Sequence, residues 1–254
     1  MSLPKIRLER CKPPDEGIWL LDPAQERHLT RALRLYEGAF VEGLLPTEAG
    51  GEKVLLRLCG TPEGMALREV GREQERADGV RLHLLIGLLK ADQFDAVLRS
   101  AAELGLYAVM PVVCERSVPR VAESDVLRKV SRWQKVMDEG SKVSGYVRPP
   151  VARAPVRFAD IPRDGLPAAR YAAILESRAT PLSEIGEIPD ELVFAVGPEG
   201  DWTPEEARAL CENGFTPVSL GDGVLRASTS AIVGCGWFRL MAHRRRLTNG
   251  LPQE

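Results

Sequence analysis

Two short stretches have residue types and spacing that suit ligand binding: VGPEGDWTPEEA, residues 196–207, and SLGDGVLRAST, residues 219–229. Each follows an apolar run, bends through glycines and leads toward a helix. In the first, Thr203 is a natural N-cap, Pro204 suits the first helical turn, and Glu206 stands at the capping-box position. Glycines at such a junction let backbone N–H and C=O groups approach a ligand with no side chain intervening. The first bend matches neither G-x-G-x-x-G nor G-x-x-x-x-G-K-[ST] and has no lysine, so a nucleotide phosphate is not its expected ligand. If the two bends meet, Leu220, Val224 and Leu225 floor a cleft of backbone amides and aliphatic side chains, which suits a flat heterocycle such as adenine. A plain strand-to-helix turn shares this grammar, so the surrounding elements must decide.

Those elements are read from periodicity. From residue 80 the chain alternates strand and helix: VRLHLLIGLL is a run for a strand covered on both faces, and DQFDAVLRSAAELG places Phe94, Val97, Leu98, Ala101 and Leu104 at helical spacing, with Gly105 as C-cap. The strand LYAVMPVV follows, then a polar helix over about Glu123 to Ser144. The segment RPPVARAPVRFADIPRDGLP reads as loop, followed by strands YAAILE and ELVFAV, the helix from Thr203, the strand PVSL and a final helix over about Val224 to Arg246. Such alternation predicts an α/β fold with a parallel, doubly covered sheet, whose carboxyl edge is where ligands bind. Before residue 75 the pattern differs: KIRL, GIWLL, AFVEGLL, EKVLLRL and MALREV predict a small β-barrel-like domain. One helix interrupts it, PAQERHLTRALRL, with Asp22 as N-cap, Pro23 at its first position and Gln25 closing a capping box. The stretch EQERADG, 73–79, reads as the linker.

Composition bounds the function. Of 254 residues 44% are hydrophobic and 28% charged, as in a globular protein with a real core, and the net charge of -2 gives no global pull toward nucleic acid. No apolar run reaches the length of a membrane span, and MSLPKIRLER lacks a signal-peptide core, so a cytoplasmic protein is expected. The five cysteines are scattered without a C-x-x-C pair and read as reduced thiols; His28, His83 and His243 have no ligand spacing, so no metal site is expected.

GPEGDWTPEE and VSLGDGVLRAST, with LLKADQFDAVLRSAAELGLYAVMPVV and ERSVP, resemble the RsmE-type 16S ribosomal RNA uracil-N3 methyltransferase family of the trefoil-knotted SPOUT superfamily. The similarity runs from HLTRALRLYEG to the final helix. It implies a PUA-like, RNA-binding barrel over 1–75 and a SPOUT domain over 79–254 knotted in about 171–235, acting as a homodimer on 16S ribosomal RNA or the small ribosomal subunit. The implied methyl donor is S-adenosylmethionine, held by Leu175 and Glu176, by Gly197, Pro198, Glu199 and Gly200, and by Leu220, Gly221, Val224, Leu225 and Arg226. Arg226 is also the candidate catalytic residue, stabilising charge on a uracil carbonyl oxygen; an ordinary salt bridge at a helix start is the alternative. No general base stands out, since an acid such as Glu199 in a glycine-rich turn more often bonds backbone amides. The chain departs from the family pattern at Asp201, where GPEGG has glycine, and at Ala227 and Ser228, where LR-T-E-T-A has Thr and Glu. In the segment E-x-x-x-Q-S-x-R it keeps Glu139 and Ser144 but has Val143 and Tyr146. A divergent relative that binds RNA without catalysing this transfer is the alternative reading.

An RNA surface is suggested by Arg27, Arg31 and Arg34, a stripe at i, i+4 and i+7 opposite Leu29 and Leu33. A second cluster between Arg116 and Arg153 holds Arg120, Arg128, Lys129, Arg132, Lys135, Lys142 and Arg148, with an excess of five positive charges over its acids. Its candidate RNA contacts are Arg116, Arg120, Arg132, Lys142 and Arg148. Trp133 within it is a core residue or a stacking platform. The small residues of SAIVGCGWF, Ala231, Gly234 and Gly236, imply close packing, either on a second subunit or inside the chain.

Overall fold

Strand-forming runs and two capped helix starts are where local chemistry acts first, and the computed structural model describes what they build for all residues except 1, 2, 16, 48, 49, 63, 76–79, 163, 177 and 250–254. The chain forms two units, Met1–Asp78 with Lys142–Arg148, and Gly79–Ser141 with Pro149–Glu254.

The first unit contains strands β1 (Lys5–Arg7), β2 (Lys12–Asp15) and β3 (Ile18–Leu20), helix α1 (Pro23–Arg27), and strands β4 (Phe40–Thr47), β5 (Gly50–Thr61) and β6 (Gly64–Glu75). They make a six-stranded sheet in the order β1-β4-β5-β6-β3-β2. Alternate residues of β5, Val54, Leu56 and Leu58, are fully buried with Ile6, Leu8, Trp19, Val41, Leu67 and Leu29. The expected linker begins later than predicted, because β6 continues through Glu75; residues 76–79 lie outside the described residues. Asp22 accepts hydrogen bonds from the Ala24 and Gln25 amides, and Gln25 returns the bond to the Asp22 amide, so the predicted capping box forms. The helix does not stay regular: a π-helical turn covers His28–Ala32, and Arg34 has φ 55. Arg34 is thus the left-handed residue after the helix rather than a third member of a helical stripe, and Leu33 is exposed while Leu29 is buried.

The segment Lys142–Arg148 joins this unit through backbone acceptors. Arg7 donates to the Val147 carbonyl, Lys5 Nζ to the Val143 carbonyl at 3.2 Å, and Arg148 to the Thr47 carbonyl. A Cβ on Gly51 would overlap the Val147 side chain, so only glycine allows this approach.

The second unit contains β7 (Arg81–Gly87), α2 (Ala91–Glu103), β8 (Ala108–Val113), α3 (Val126–Ser144) up to Ser141, β9 (Val151–Ala152), β10 (Val156–Arg157), β11 (Ala169–Ala173), β12 (Thr180–Pro181), β13 (Glu191–Val196), α4 (Pro204–Glu212), β14 (Thr216–Ser219) and α5 (Ala227–Asn249). Its eight-stranded sheet runs β10-β8-β7-β13-β11-β14-β12, with β9 also on β8, and every pairing is parallel. The near-continuous apolar runs of β7, β8 and β13 are buried on both faces, as an interior parallel sheet requires. Three boundaries correct the sequence reading. The proline-rich segment is not all loop: β9 and β10 each place two residues against β8, in stretches short enough to fit between prolines. Strand β11 stops at Ala173, short of Glu176, and α5 starts at Ala227, leaving residues 224–226 in the bend.

Helix α5 explains its own small residues. A Cβ on Gly234 would overlap the ring of Phe194 in β13, and Phe238 stacks on Phe194 and Tyr171 with ring centroids 5.4 and 5.1 Å apart. Gly234 therefore answers to the chain's own sheet, which is the intrachain alternative for that motif.

Candidate functional site

The strands of the parallel sheet all end on one edge, and the bends after β11, β13 and β14 enclose a cavity of about 290 Å³ there. That volume lies at the lower end of small-molecule sites. Leu175 lines it from the first bend, Gly197, Pro198 and Glu199 from the second, and Leu220, Gly221, Val224, Leu225 and Arg226 from the third. Gly221 has φ 134 and nothing within 4 Å of a Cβ position, so the backbone faces open space without a side chain. Two expected members fall outside the lining. Glu176 follows the end of β11 and is exposed. Gly200 turns its Cα hydrogen toward Arg116, whose Cβ would stand 2.9 Å from a Cβ at that position.

The structure adds lining residues that spacing did not single out: Gln93 from the first turn of α2, Asp201 from the second bend and Ser230 from α5. Asp201 was visible only as a departure from the family pattern. Gln93 had a weak signal, its place in the first turn after a strand at the ligand-binding edge.

The second bend is braced on all sides. Its helix starts with the predicted capping box, Thr203 Oγ1 accepting from the Glu206 amide at 3.1 Å and Glu206 Oε2 from the Thr203 amide at 3.0 Å. Glu206 is buried, and its Oε1 accepts from the Glu115 amide at 2.9 Å, which ties the loop after β8 to α4. From that loop Arg116 donates to the Gly200 and Trp202 carbonyls at 3.1 and 3.2 Å. Trp202 Nε1 donates to the Ala173 carbonyl at 3.1 Å, and Glu199 Oε1 accepts from the Lys90 amide at 3.0 Å, just ahead of α2. Behind the bend, Gly87 at the end of β7 lies so close that a Cβ there would stand 2.7 Å from Pro198 Cδ and 2.9 Å from the Gly197 carbonyl carbon.

The chemistry available to the cavity is that of backbone groups, two carboxylates, the hydroxyls of Ser219 and Ser230 and one guanidinium. Burial pushes the Cys114 and Cys235 thiols up to about 12 and the Cys11 thiol up to about 11, so none is a thiolate near neutrality. The cavity carries the carboxylates of Glu199 and Asp201 and the guanidinium of Arg226. His83 lies in the first half of β7, bonded to Glu191 at 2.8 Å; burial lowers its pKa, and the Glu191 carboxylate offsets part of that effect. Among the described residues no His, Cys, Asp or Glu cluster fits a metal ion.

The candidate RNA residues separate into two kinds. Arg27, Arg31 and Arg34 are exposed and form no ion pair among the described residues. Arg116 braces the second bend, Arg120 donates to the Ser117 carbonyl, Arg132 pairs with Asp95 and Arg148 bonds Thr47. Lys142 is half-buried in the last turn of α3. The surplus of charge seen in the sequence is thus largely engaged with the chain itself. Trp133 is a core residue, buried beside Phe94 with ring centroids 5.1 Å apart.

A family model described as an RNA methyltransferase domain matches residues 76–239. The Ribosomal RNA small subunit methyltransferase E of Synechocystis sp. is 31% identical over 224 residues, covering 86% of this chain and 71% of that protein. The protein of the same description from Bacillus subtilis is 24% identical over 236 residues, 89% of this chain and 91% of its own. Among solved structures, a Ribosomal RNA small subunit methyltransferase E from Neisseria gonorrhoeae bound to S-adenosyl methionine superposes with a TM-score of 0.79 at 23% identity, covering 94% of this chain and 98% of that one. A Legionella pneumophila protein in complex with the bound cofactor SAM gives 0.81 at 20% identity, with the same coverage. At these identities the structural likeness establishes the fold.

Proposed function

Since the chain belongs to the Ribosomal RNA small subunit methyltransferase E family of RNA methyltransferases, we propose that it transfers the methyl group of S-adenosylmethionine to N3 of a uridine in 16S ribosomal RNA. One observation carries the proposal: the bends after β11, β13 and β14 converge on a single cavity at the ligand-binding edge of the parallel sheet. The residues present suit an adenosyl group without phosphates. The bare backbone of Gly221 and Gly197 offers amides and carbonyls, Leu220 and Leu225 offer apolar surface, and among the described residues no lysine enters the lining. When bound, the donor supplies an electrophilic methyl on a sulfonium.

The chain's own residues have three tasks. The braced bend of Gly197 to Trp202 orients the donor, because an in-line displacement tolerates little misplacement. Leu175 and Val224, 63% and 78% exposed at the cavity, exclude water once covered. Arg226 stabilises the negative charge that develops on a uracil carbonyl oxygen when N3 loses its proton. We assign the first unit, with its six-stranded sheet, a PUA-like role in RNA binding through Arg27, Arg31 and Arg34, and the cytoplasm as the place of action. We further assign a knot over about 171–235, as the family resemblance implies, and the exposed apolar residues at the cavity support a homodimer.

The test is tritium transfer from S-adenosylmethionine to undermethylated small-subunit ribosomal RNA, followed by nucleoside analysis. Label in 3-methyluridine is the expected result; donor binding without transfer supports the second reading, a relative that binds RNA without catalysing this step. Ala227 favours that reading, since it lines the cavity where the family pattern has threonine. Reversing Arg27, Arg31 and Arg34 to Glu weakens RNA binding and flattens its salt dependence if these arginines contact phosphate.

A further inference from the structure

We propose that Asp201 makes the cavity selective for a positively charged sulfonium donor over its neutral thioether product, S-adenosylhomocysteine. The inference rests on reading the cavity as the donor site. Among the described residues Asp201 and Arg34 are the non-glycine positions with positive φ, and Asp201, at φ 61, is the one in the cavity wall. Aspartate tolerates that conformation better than most residues but glycine adopts it at no cost, so the carboxylate is present despite the backbone rather than because of it. An unfavourable φ maintained at a ligand site points to a function for the side chain.

The bend leaves the carboxylate little freedom. The Asp201 amide donates to the Pro198 carbonyl at 2.9 Å, closing the turn, and Oδ1 accepts from the Trp202 amide at 2.8 Å. A Cβ on Gly197 would stand 3.1 Å from Oδ1, so the group lies against the backbone that leads out of β13. Among the described residues Asp201 forms no ion pair. The other carboxylate there, Glu199, gives one oxygen to the Lys90 amide. Arg226 is the cation of the same wall, on the bend after β14, and it does not pair with Asp201.

A sulfonium has a fixed positive charge and no N–H to donate, so a carboxylate attracts it more strongly than a neutral backbone carbonyl does. The product keeps the adenosine and the amino-acid end but loses that charge. An anion in the wall therefore strengthens donor binding, leaves product binding alone and favours release after transfer. With glycine at this position, as in the family pattern, the discrimination from this group is absent.

The test is calorimetric titration of the full chain with S-adenosylmethionine and S-adenosylhomocysteine, comparing the natural protein with Asp201→Asn and Asp201→Gly. Asparagine keeps the tolerance for positive φ and an oxygen for the Trp202 amide, and glycine relieves the backbone, so both variants retain the turn. We expect a loss of roughly fivefold in donor affinity in either variant, the scale of one partly screened charge pair. Product affinity changes less than twofold, and the loss shrinks as salt rises. Equal losses for both ligands, or unchanged donor affinity, overturn the inference while leaving the cavity as the donor site. Failure of the natural protein to bind either ligand overturns the donor-site reading, and this inference with it.

Discussion

Replacing Gly87 with alanine tests whether the second bend is positioned from behind. Gly87 is buried at the end of β7, and an added Cβ would overlap the Pro198 nitrogen and stand 2.7 Å from Pro198 Cδ and 2.9 Å from the Gly197 carbonyl carbon. An ordinary contact between such atoms needs roughly 3.5–4 Å, so the bend must withdraw by about 1 Å or β7 must yield. Strand β7 is held between β8 and β13, with Gly87 paired to Val112. Withdrawal of the bend is the smaller displacement, and it moves Gly197 and Pro198, which both line the cavity. Overpacking of this kind costs about 1–3 kcal/mol of stability. In a chain of this length each kcal/mol lowers Tm by about 2–4 °C. Loss of the matching contacts lowers affinity for S-adenosylhomocysteine by about tenfold or more, tenfold being about 1.4 kcal/mol. Thermal unfolding and calorimetric titration of the same preparation read both effects. A variant with the natural Tm and natural affinity would refute the idea that Gly87 sets the place of this bend.

Glu206→Gln replaces one of the two carboxylate oxygens that accept from the Thr203 and Glu115 amides with an amide N–H that faces a donor. It should lower stability by about 1–3 kcal/mol in denaturant unfolding, and a smaller loss than 0.5 kcal/mol would show that the tie to the loop after β8 does not bear on stability. His83 has its pKa lowered by burial, so the unfolded chain binds its proton more readily than the folded one. Stability from this group is present above the ordinary value of 6.5 and falls as pH drops below it; His83→Asn should flatten the dependence of Tm on pH between about 6.5 and 5.

Several features were legible in the residues alone. Both capping boxes, Asp22 with Gln25 and Thr203 with Glu206, formed where the pattern placed them. The apolar runs of β7, β8 and β13 became interior parallel strands, and the two glycine-rich bends met at one cavity. In each case the governing interaction spans a few residues, or follows from the rule that parallel strands share a carboxyl edge.

Other features depended on distant parts of the chain. Glu176 lies beyond the end of β11 and is exposed, and Gly200 faces Arg116. Arg116, Arg132 and Arg148 counted as cations in a cluster, yet each found an acceptor on the protein: the carbonyls of Gly200 and Trp202, the carboxylate of Asp95 and the carbonyl of Thr47. The segment Lys142–Arg148 joined a unit that ends more than sixty positions earlier, through Lys5 and Arg7. Helix caps, strand periods and turns are written locally because their hydrogen bonds close over a few residues. The direction a side chain faces, and whether its charge is satisfied, belong to the tertiary structure because the partners that decide them stand tens of residues away.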